Sequence, residues 1–361
     1  MKIACRKQRS LRRRGLQREA QRGFTLVEMM IALTVGLVMM GGIMQIFVSS
    51  KQSYNMSDAL SGVQENGRVA MDILAQGIRA AGYQGCADPA SIPAVAIADN
   101  PPTTNLFQNA IRGFETTLAG WAPADLVAIQ DDAIDGTDVL SIQHASNLGI
   151  ALTSDMATSA AAIQVGSNAD GFAAGDVLFI SDCDTVDIFR ATAVAGGGPV
   201  TIAHATSQNS SDNLSKPYGT GALVMRYQFN TYFIRDTGRT NAGGEQILGL
   251  FQRDVAGNVT ELVEGIESMQ ILYGERSATS GLVRFVPGDT ADLDMTEVVS
   301  LRIGLLLYSV GPALDSDNAL TFAMPGVDVE PVGTAGAVLT HPKDRRLRRA
   351  FVTTINLRNR S

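Results

Sequence analysis

Glu28 is the one carboxylate in an apolar run of 25 residues, Phe24–Val48. A charge in such surroundings costs about 2.5–3.5 kcal/mol at a bilayer centre and less near its edge, so it usually marks function. Just before it the sequence changes abruptly at Gly23-Phe24-Thr25-Leu26-Val27. Gly23 has no side chain to obstruct entry of the backbone into a protease cleft. Three cysteines, Cys5, Cys86 and Cys183, are candidates for thiol chemistry. The three histidines, His144, His204 and His341, fall in different segments without metal-like spacing and read as solvated or structural side chains. Asp289, Asp292, Asp294 and Glu297 form one acidic group, and Asp131, Asp132 and Asp135 another. Calcium takes six to eight oxygens, but neither group has the spacing of a known loop motif, so a solvated acidic loop is the favoured reading. There is no G-x-S-x-G elbow and no phosphate-cradling loop, and Gly196-Gly197-Gly198 before Pro199 reads as a turn. The chain is therefore not read as an enzyme, and no cofactor, metal or small-molecule ligand is expected.

Composition sets the class around these residues. The chain has 361 residues, 45% hydrophobic and 18% charged, which suits a globular protein with one or two sizeable cores. Residues 1–23 carry nine basic side chains against Glu19, a net +8, so the −7 of the whole chain leaves −15 from Phe24 onward. A body that acidic is not expected to bind nucleic acid in general. One basic patch stands out: Lys343, Arg345, Arg346, Arg348, Arg349, Arg358 and Arg360. Local salt bridges are its first reading, subunit contact the second and DNA the third, since aromatics for base stacking are nearly absent.

The elements that position these residues follow from pattern. A helix over Phe24–Val48 would rise about 37 Å, enough to cross a hydrocarbon core of about 30 Å. Basic residues flank only its amino-terminal side, so residues 1–23 are expected in the cytoplasm and the rest outside, with a single span. Met56, Leu60, Val63, Gly67, Ala70, Leu74, Ile78 and Ala81 recur at helical spacing, which continues the helix over 49–82 with Gly82 as its stop. From 83 to 361 the chain reads as a β-rich head. Strands are expected at Thr137–His144, Asp176–Ser181, Leu223–Arg235, Val299–Tyr308 and Ala350–Leu357, and loops at Ser207–Lys216 and Thr237–Glu245. Asn258-Val259-Thr260-Glu261 reads as a helix start, with Leu262, Val263 and Ile266 as its buried face. The fold class is α+β: a long amino-terminal helix packed on a β-rich head.

The hexamer Gly23–Glu28, at the junction of a basic leader and a span, resembles the type IV prepilin motif. That resemblance implies a cut by prepilin peptidase between Gly23 and Phe24, methylation of the Phe24 amine and retention of the apolar helix. Glu28, four residues past the new terminus, then has that amine as its natural partner, on its own chain or on a neighbouring subunit. With Cys5 removed in the leader, Cys86 and Cys183 remain on an oxidising side, where they are expected to form a disulfide, free thiols being the alternative. Such a bridge closes about 100 residues and contributes up to about 4.7 kcal/mol in the chain-entropy model. Ala81-Gly82-Tyr83-Gln84-Gly85-Cys86, Ser181-Asp182-Cys183, Glu261–Ile266 and Thr354–Arg360 resemble the PilW family of minor pilins, which is similar to the J-type pseudopilins of type II secretion. The resemblance implies a tip complex with other minor pilins that primes the major pilin. It also implies an inner-membrane protein with a periplasmic head that ends in the pilus. The remaining alternatives are a secretion pseudopilin and a membrane-tethered binding or adhesion domain.

Overall fold

The computed structural model describes residues 23–100, 106–117, 120–122 and 133–360. Cys5 and the basic leader residues up to Arg22 lie outside the described residues, as do Asp131 and Asp132. The chain divides into two compact units, Met1–Ser53 and Tyr54–Ser361.

In the first unit the described structure is the opening of helix α1, Leu26–Ala80. Met, Val, Leu and Ile make up more than half of Leu26–Ser53 and no proline interrupts it, so no backbone donor is missing from the helix. Every residue from Gly23 to Ser53 is exposed, including Phe24 at 86% and Val38 at 77%. Gly36, Gly41 and Gly42 have open space where a Cβ would stand. A continuous apolar surface of this size is stable only against lipid or other apolar surfaces.

In the second unit the rest of α1 becomes a core element. Val63, Gly67, Ala70, Leu74 and Ile78 are buried at helical spacing, whereas Gln64, Glu65, Arg68 and Asp72 are exposed. Burial begins later than the stripe suggests, because Met56 is exposed and Leu60 half-buried. The helix ends at Ala80 and the chain turns through Gly82 in the left-handed region, φ +73°.

The principal strands of the head are β1 Ile111–Thr117, β2 Val139–Ala145, β3 Val177–Ser181, β4 Val186–Arg190, β5 Leu223–Thr240, β6 Gln246–Arg253, β7 Val259–Glu264, β8 Ile266–Arg276, β9 Val283–Val286, β10 Val298–Tyr308 and β11 Arg348–Asn356. The larger sheet runs Val95–Ala96, β4, β3, β5, β2, β1, with β6 continuing from β5 and β7 from β6. The smaller sheet is β9-β8-β10-β11. One core cluster joins Val63, Leu74 and Ile78 of α1 to Ile142 and Tyr232 of the larger sheet and to Leu301, Ile303, Leu305 and Leu307 of the smaller. Alternation along β10 thus gives α1 its platform. The opposite face of β10 is covered too, since Leu306 packs with Met324 and Val329.

Two expectations are corrected. Asn258–Glu261 opens no helix: Val259–Glu264 is strand β7, paired with β6. The Asp254 carboxylate accepts the backbone N–H groups of Ala256 and Asn258, both at 2.9 Å, which closes a hairpin turn instead of capping a helix. Gly265, at φ +77°, then separates Val263 from Ile266, which belongs to β8. The segment Thr237–Glu245 is also not all loop, because β5 continues to Thr240. Only the turn after it is irregular, with Asn241 Oδ1 accepting the N–H groups of Gly243 and Glu245.

Candidate processing and assembly site

The start of α1 is a reciprocal cap. Thr25 Oγ1 accepts the Glu28 backbone N–H at 3.2 Å, and Glu28 Oε2 accepts both the Thr25 backbone N–H and the Thr25 hydroxyl at 3.1 Å. The first turn closes with the Met29 N–H donating to the Thr25 carbonyl at 3.1 Å. This is a capping box, which satisfies donors that a helix start leaves unpaired and places a carboxylate at the positive end of the helix dipole. Thr25-Leu26-Val27-Glu28 fits the sequence signature of that motif, a signal that identifies Thr25 as well as Glu28. Gly23 and Phe24 precede the helix and are exposed, with open space where a Cβ at Gly23 would stand. Backbone in that state, not yet hydrogen-bonded into the helix, can enter a protease cleft.

In the second unit the remaining residues singled out from sequence have structural work. Cys86 and Cys183 form a disulfide with Cα atoms 4.8 Å apart, across a sequence separation of 97. It ties the segment just after α1 to the turn between β3 and β4, and both cysteines are exposed. His144 is buried in β2 with Nδ1 against the Ala145 carbonyl at 2.7 Å, and burial pushes its pKa down. His341 bridges the carbonyls of Pro342 and Leu320 through its two ring nitrogens. His204 packs edge-on to Phe189. Asp292 pairs with Arg284 at 2.9 Å, and Asp294 Oδ1 caps Thr296. Among the described residues no group of three or more His, Cys, Asp or Glu could hold a metal ion.

The basic patch resolves into two populations. Arg348 has a fully buried side chain clamped between Glu267 at 2.7 Å and Asp344 at 2.6 Å. Arg346 reaches Glu245 at 2.7 Å and lies over the Tyr308 ring. Its two arginine partners hold the Asp344 carboxyl below the ordinary range despite its burial, with Arg348 contributing most. Lys343, Arg345 and Arg349 are exposed.

The comparison with protein families bears on both ends of the chain. Residues 231–359 match the family described as Type IV Pilus-assembly protein W, PilW, and residues 18–44 match the prokaryotic N-terminal methylation motif. Over its carboxyl-terminal third the chain is similar to the PilW family. No curated protein and no solved structure matches it. Neither matching description is that of a catalytic family, and the methylation motif at the head of an apolar helix is that of a membrane-anchored pilin.

The PilW region spans the end of β5 through the carboxyl terminus, and its signature residues have identifiable work in the fold. Gly265 within Glu261–Ile266 takes φ +77°, and a Cβ there would meet the Tyr308 carbonyl at 2.9 Å. The Gly265 N–H donates to Leu248 and its carbonyl accepts from Tyr308, which turns β7 into β8. At the carboxyl end Ile355 and Leu357 are buried in the α1 core. Asn359 Nδ2 donates to the Ala81 carbonyl at 2.9 Å, where α1 has run out of intrahelical donors. Asn359 was part of a motif in sequence, but its capping role depends on a pairing 278 residues apart and carries no local signal.

Proposed function

We propose that this chain is a minor pilin of a type IV pilus, built as a leader over 1–23, a membrane or filament-core helix over 24–48, its amphipathic continuation over 49–82 and a periplasmic head over 83–361. Prepilin peptidase removes the leader between Gly23 and Phe24, and the new Phe24 amine is methylated. The helix holds the protein in the inner membrane with the head in the periplasm until assembly draws it into the filament. There the chain joins other minor pilins in a tip complex that primes polymerisation of the major pilin. The observation that carries this reading is the union, in one chain, of the methylation motif on a fully exposed apolar helix with a folded PilW region.

Glu28 has two successive partners in this scheme. In the precursor its carboxylate serves the Thr25 cap, as the geometry of the helix start supports. After cleavage the Phe24 amine becomes a charged competitor, and in a low-dielectric core opposite charges attract far more strongly than in water. Amino-terminal mass spectrometry of membrane-extracted protein tests the scheme: the expected product starts at methylated Phe24. A chain that retains residues 1–23, or is cut beyond Val48, would overturn it.

A further inference from the structure

Asp138, at the start of β2, is buried with 4% of its surface exposed, and it joins the two sheets of the head. Strand β8 is paired with β9 over Tyr273–Arg276, so among the described residues its edge from Met269 to Ile271 has no strand partner on that side. Asp138 fills the gap. Its backbone N–H donates to the Met269 carbonyl at 2.8 Å, and its Oδ2 accepts the Ile271 N–H at 2.6 Å. The β1–β2 register pairs Gly113 with Leu140 and Phe114 with Val139, which places Glu115 directly opposite Asp138. Like charges directly opposite on paired strands repel. Both carboxyl groups also line one cleft, and two carboxyl groups that share a site out of water are relieved of their repulsion when one of them holds a proton.

Among the described residues no lysine or arginine acts on the Asp138 carboxyl to substitute for that proton. Asp289, from the loop after β9, adds a further negative charge. Tyr273 of β8 is buried nearby with its hydroxyl unpartnered among the described residues, and a Cβ on Gly113 would collide with that hydroxyl. Gln270 donates to the Gly136 carbonyl at 2.8 Å. On β1 itself Arg112 lies over the Phe114 ring and borders a neighbouring cleft with Gly288 and Asp289. Asp135 is exposed on the preceding turn. Glu115 also accepts the Gly288 N–H at 3.0 Å, so it anchors the loop that carries Asp289. An adjoining cleft of about 200 Å³, lined by Glu115, Asp138, Gln270 and Leu339 among others, borders both carboxyl groups.

We infer that Asp138 and Glu115 share one proton, and that this proton clasps the two sheets of the pilin head and holds the Gly288 loop against them. Burial, then the Glu115 charge and hydrogen bond, hold the Asp138 carboxyl protonated well above the ordinary carboxylate range. The folded state therefore binds a proton that the unfolded chain releases near pH 4. The stabilisation is complete below that ordinary value and declines as pH rises towards the folded-state pKa of Asp138. Above it the ionised pair repels, Glu115 leaves Asp138 and the loop loses its anchor.

The test uses the full-length chain in detergent. Infrared spectroscopy of the folded protein at neutral pH is expected to show the carbonyl stretch of a protonated carboxylic acid, absent in Asp138→Asn. In Glu115→Gln that band should persist but titrate away at lower pH, because the neighbouring charge is gone. Asn reproduces the protonated acid, so Asp138→Asn should unfold at the same or a higher temperature than wild type at neutral pH. The advantage should grow with rising pH. Hydrogen exchange at 287–295 should speed up with pH in wild type and stay flat in Asp138→Asn. A wild type with no such band at neutral pH would refute the shared proton. So would a calcium-induced rise in the unfolding midpoint that Asp138→Asn abolishes, since a cation would then sit between the carboxylates.

Discussion

At the residue scale the start of α1 combines two demands on one carboxylate. Glu28 completes the Thr25 capping box in the helix as folded, and it is also the only acid within the apolar run. Glu28→Ala removes both roles, but membrane insertion should be unimpaired or slightly easier, because a carboxylate costs free energy in lipid. Cleavage after Gly23 should survive as well. Surface filaments and co-purification with other pilins are the readouts, and both are expected to fall while processing stays normal. Thr25→Val separates the two roles. It keeps the shape of the side chain and deletes the hydroxyl that Glu28 both receives from and donates to, yet leaves the carboxylate free for the amine. Its effect on filament number should be smaller than that of Glu28→Ala, and Thr25→Ser should behave as wild type. Equal losses in Thr25→Val and Glu28→Ala would assign the defect to the cap instead of the charge pair.

Among elements, the second part of α1 shows how closely a helix can be fitted to a sheet. Gly67 faces β11, and a Cβ there would lie 2.7 Å from the Phe351 ring. Gly62, one and a half turns earlier, has open space around it. The two glycines therefore predict opposite outcomes when a side chain is added. Gly62→Ala should raise the unfolding midpoint, since alanine is favoured over glycine in a helix by about 1 kcal/mol. Gly67→Leu must displace Phe351 from the sheet platform, and overpacking of this kind costs about 1–3 kcal/mol. Thermal unfolding of the detergent-extracted protein, followed by circular dichroism, distinguishes them. A Gly67→Leu variant as stable as Gly62→Ala would mean that the fit between helix and β11 is loose. Strand pairing also accounts for an element that pattern alone misreads: β7 has a capping-box-like opening, but its backbone pairs with β6 and Asp254 is spent on the turn.

For the whole molecule, covalent and ionic ties hold segments far apart in sequence. The Cys86–Cys183 disulfide closes a loop with a separation of 97 residues around the edge of the larger sheet. Removing a native disulfide typically costs about 2–5 kcal/mol. Cys86→Ser with Cys183→Ser should therefore lower the unfolding midpoint and the amount of protein recovered from the envelope, and wild type treated with reductant should fall to the same value. Non-reducing peptide mapping should recover the linked pair, and full alkylation of both thiols without reduction would contradict it. The buried Arg348 clamp works on the same scale, since Glu267 lies on β8 and Asp344 on the segment before β11. Leaving Glu267 or Asp344 without the Arg348 guanidinium would strip a largely buried charge of its closest partner.

What the sequence by itself determined is local or compositional. The apolar run, its basic flank and the Gly23–Glu28 junction are contiguous, so they could be read without any fold. The 3.6-residue stripe of α1 and the alternation of β10 also follow from neighbours along the chain, because each needs only one buried face. Cys86 and Cys183 were legible because few cysteines leave few pairings. What tertiary structure decided depends on contacts between distant segments. Met56 looks like the rest of the stripe but has nothing against it, whereas Val63 meets the sheets. Arg346 and Arg348 look like their exposed neighbours Arg345 and Arg349, and only the positions of Glu245, Glu267 and Asp344 separate clamp from surface. Asp138 is one acid among many in the sequence. It becomes a proton site only because strand pairing sets Glu115 opposite it and the edge of β8 removes it from water, and neither the pairing nor the dielectric is written in the residues beside it.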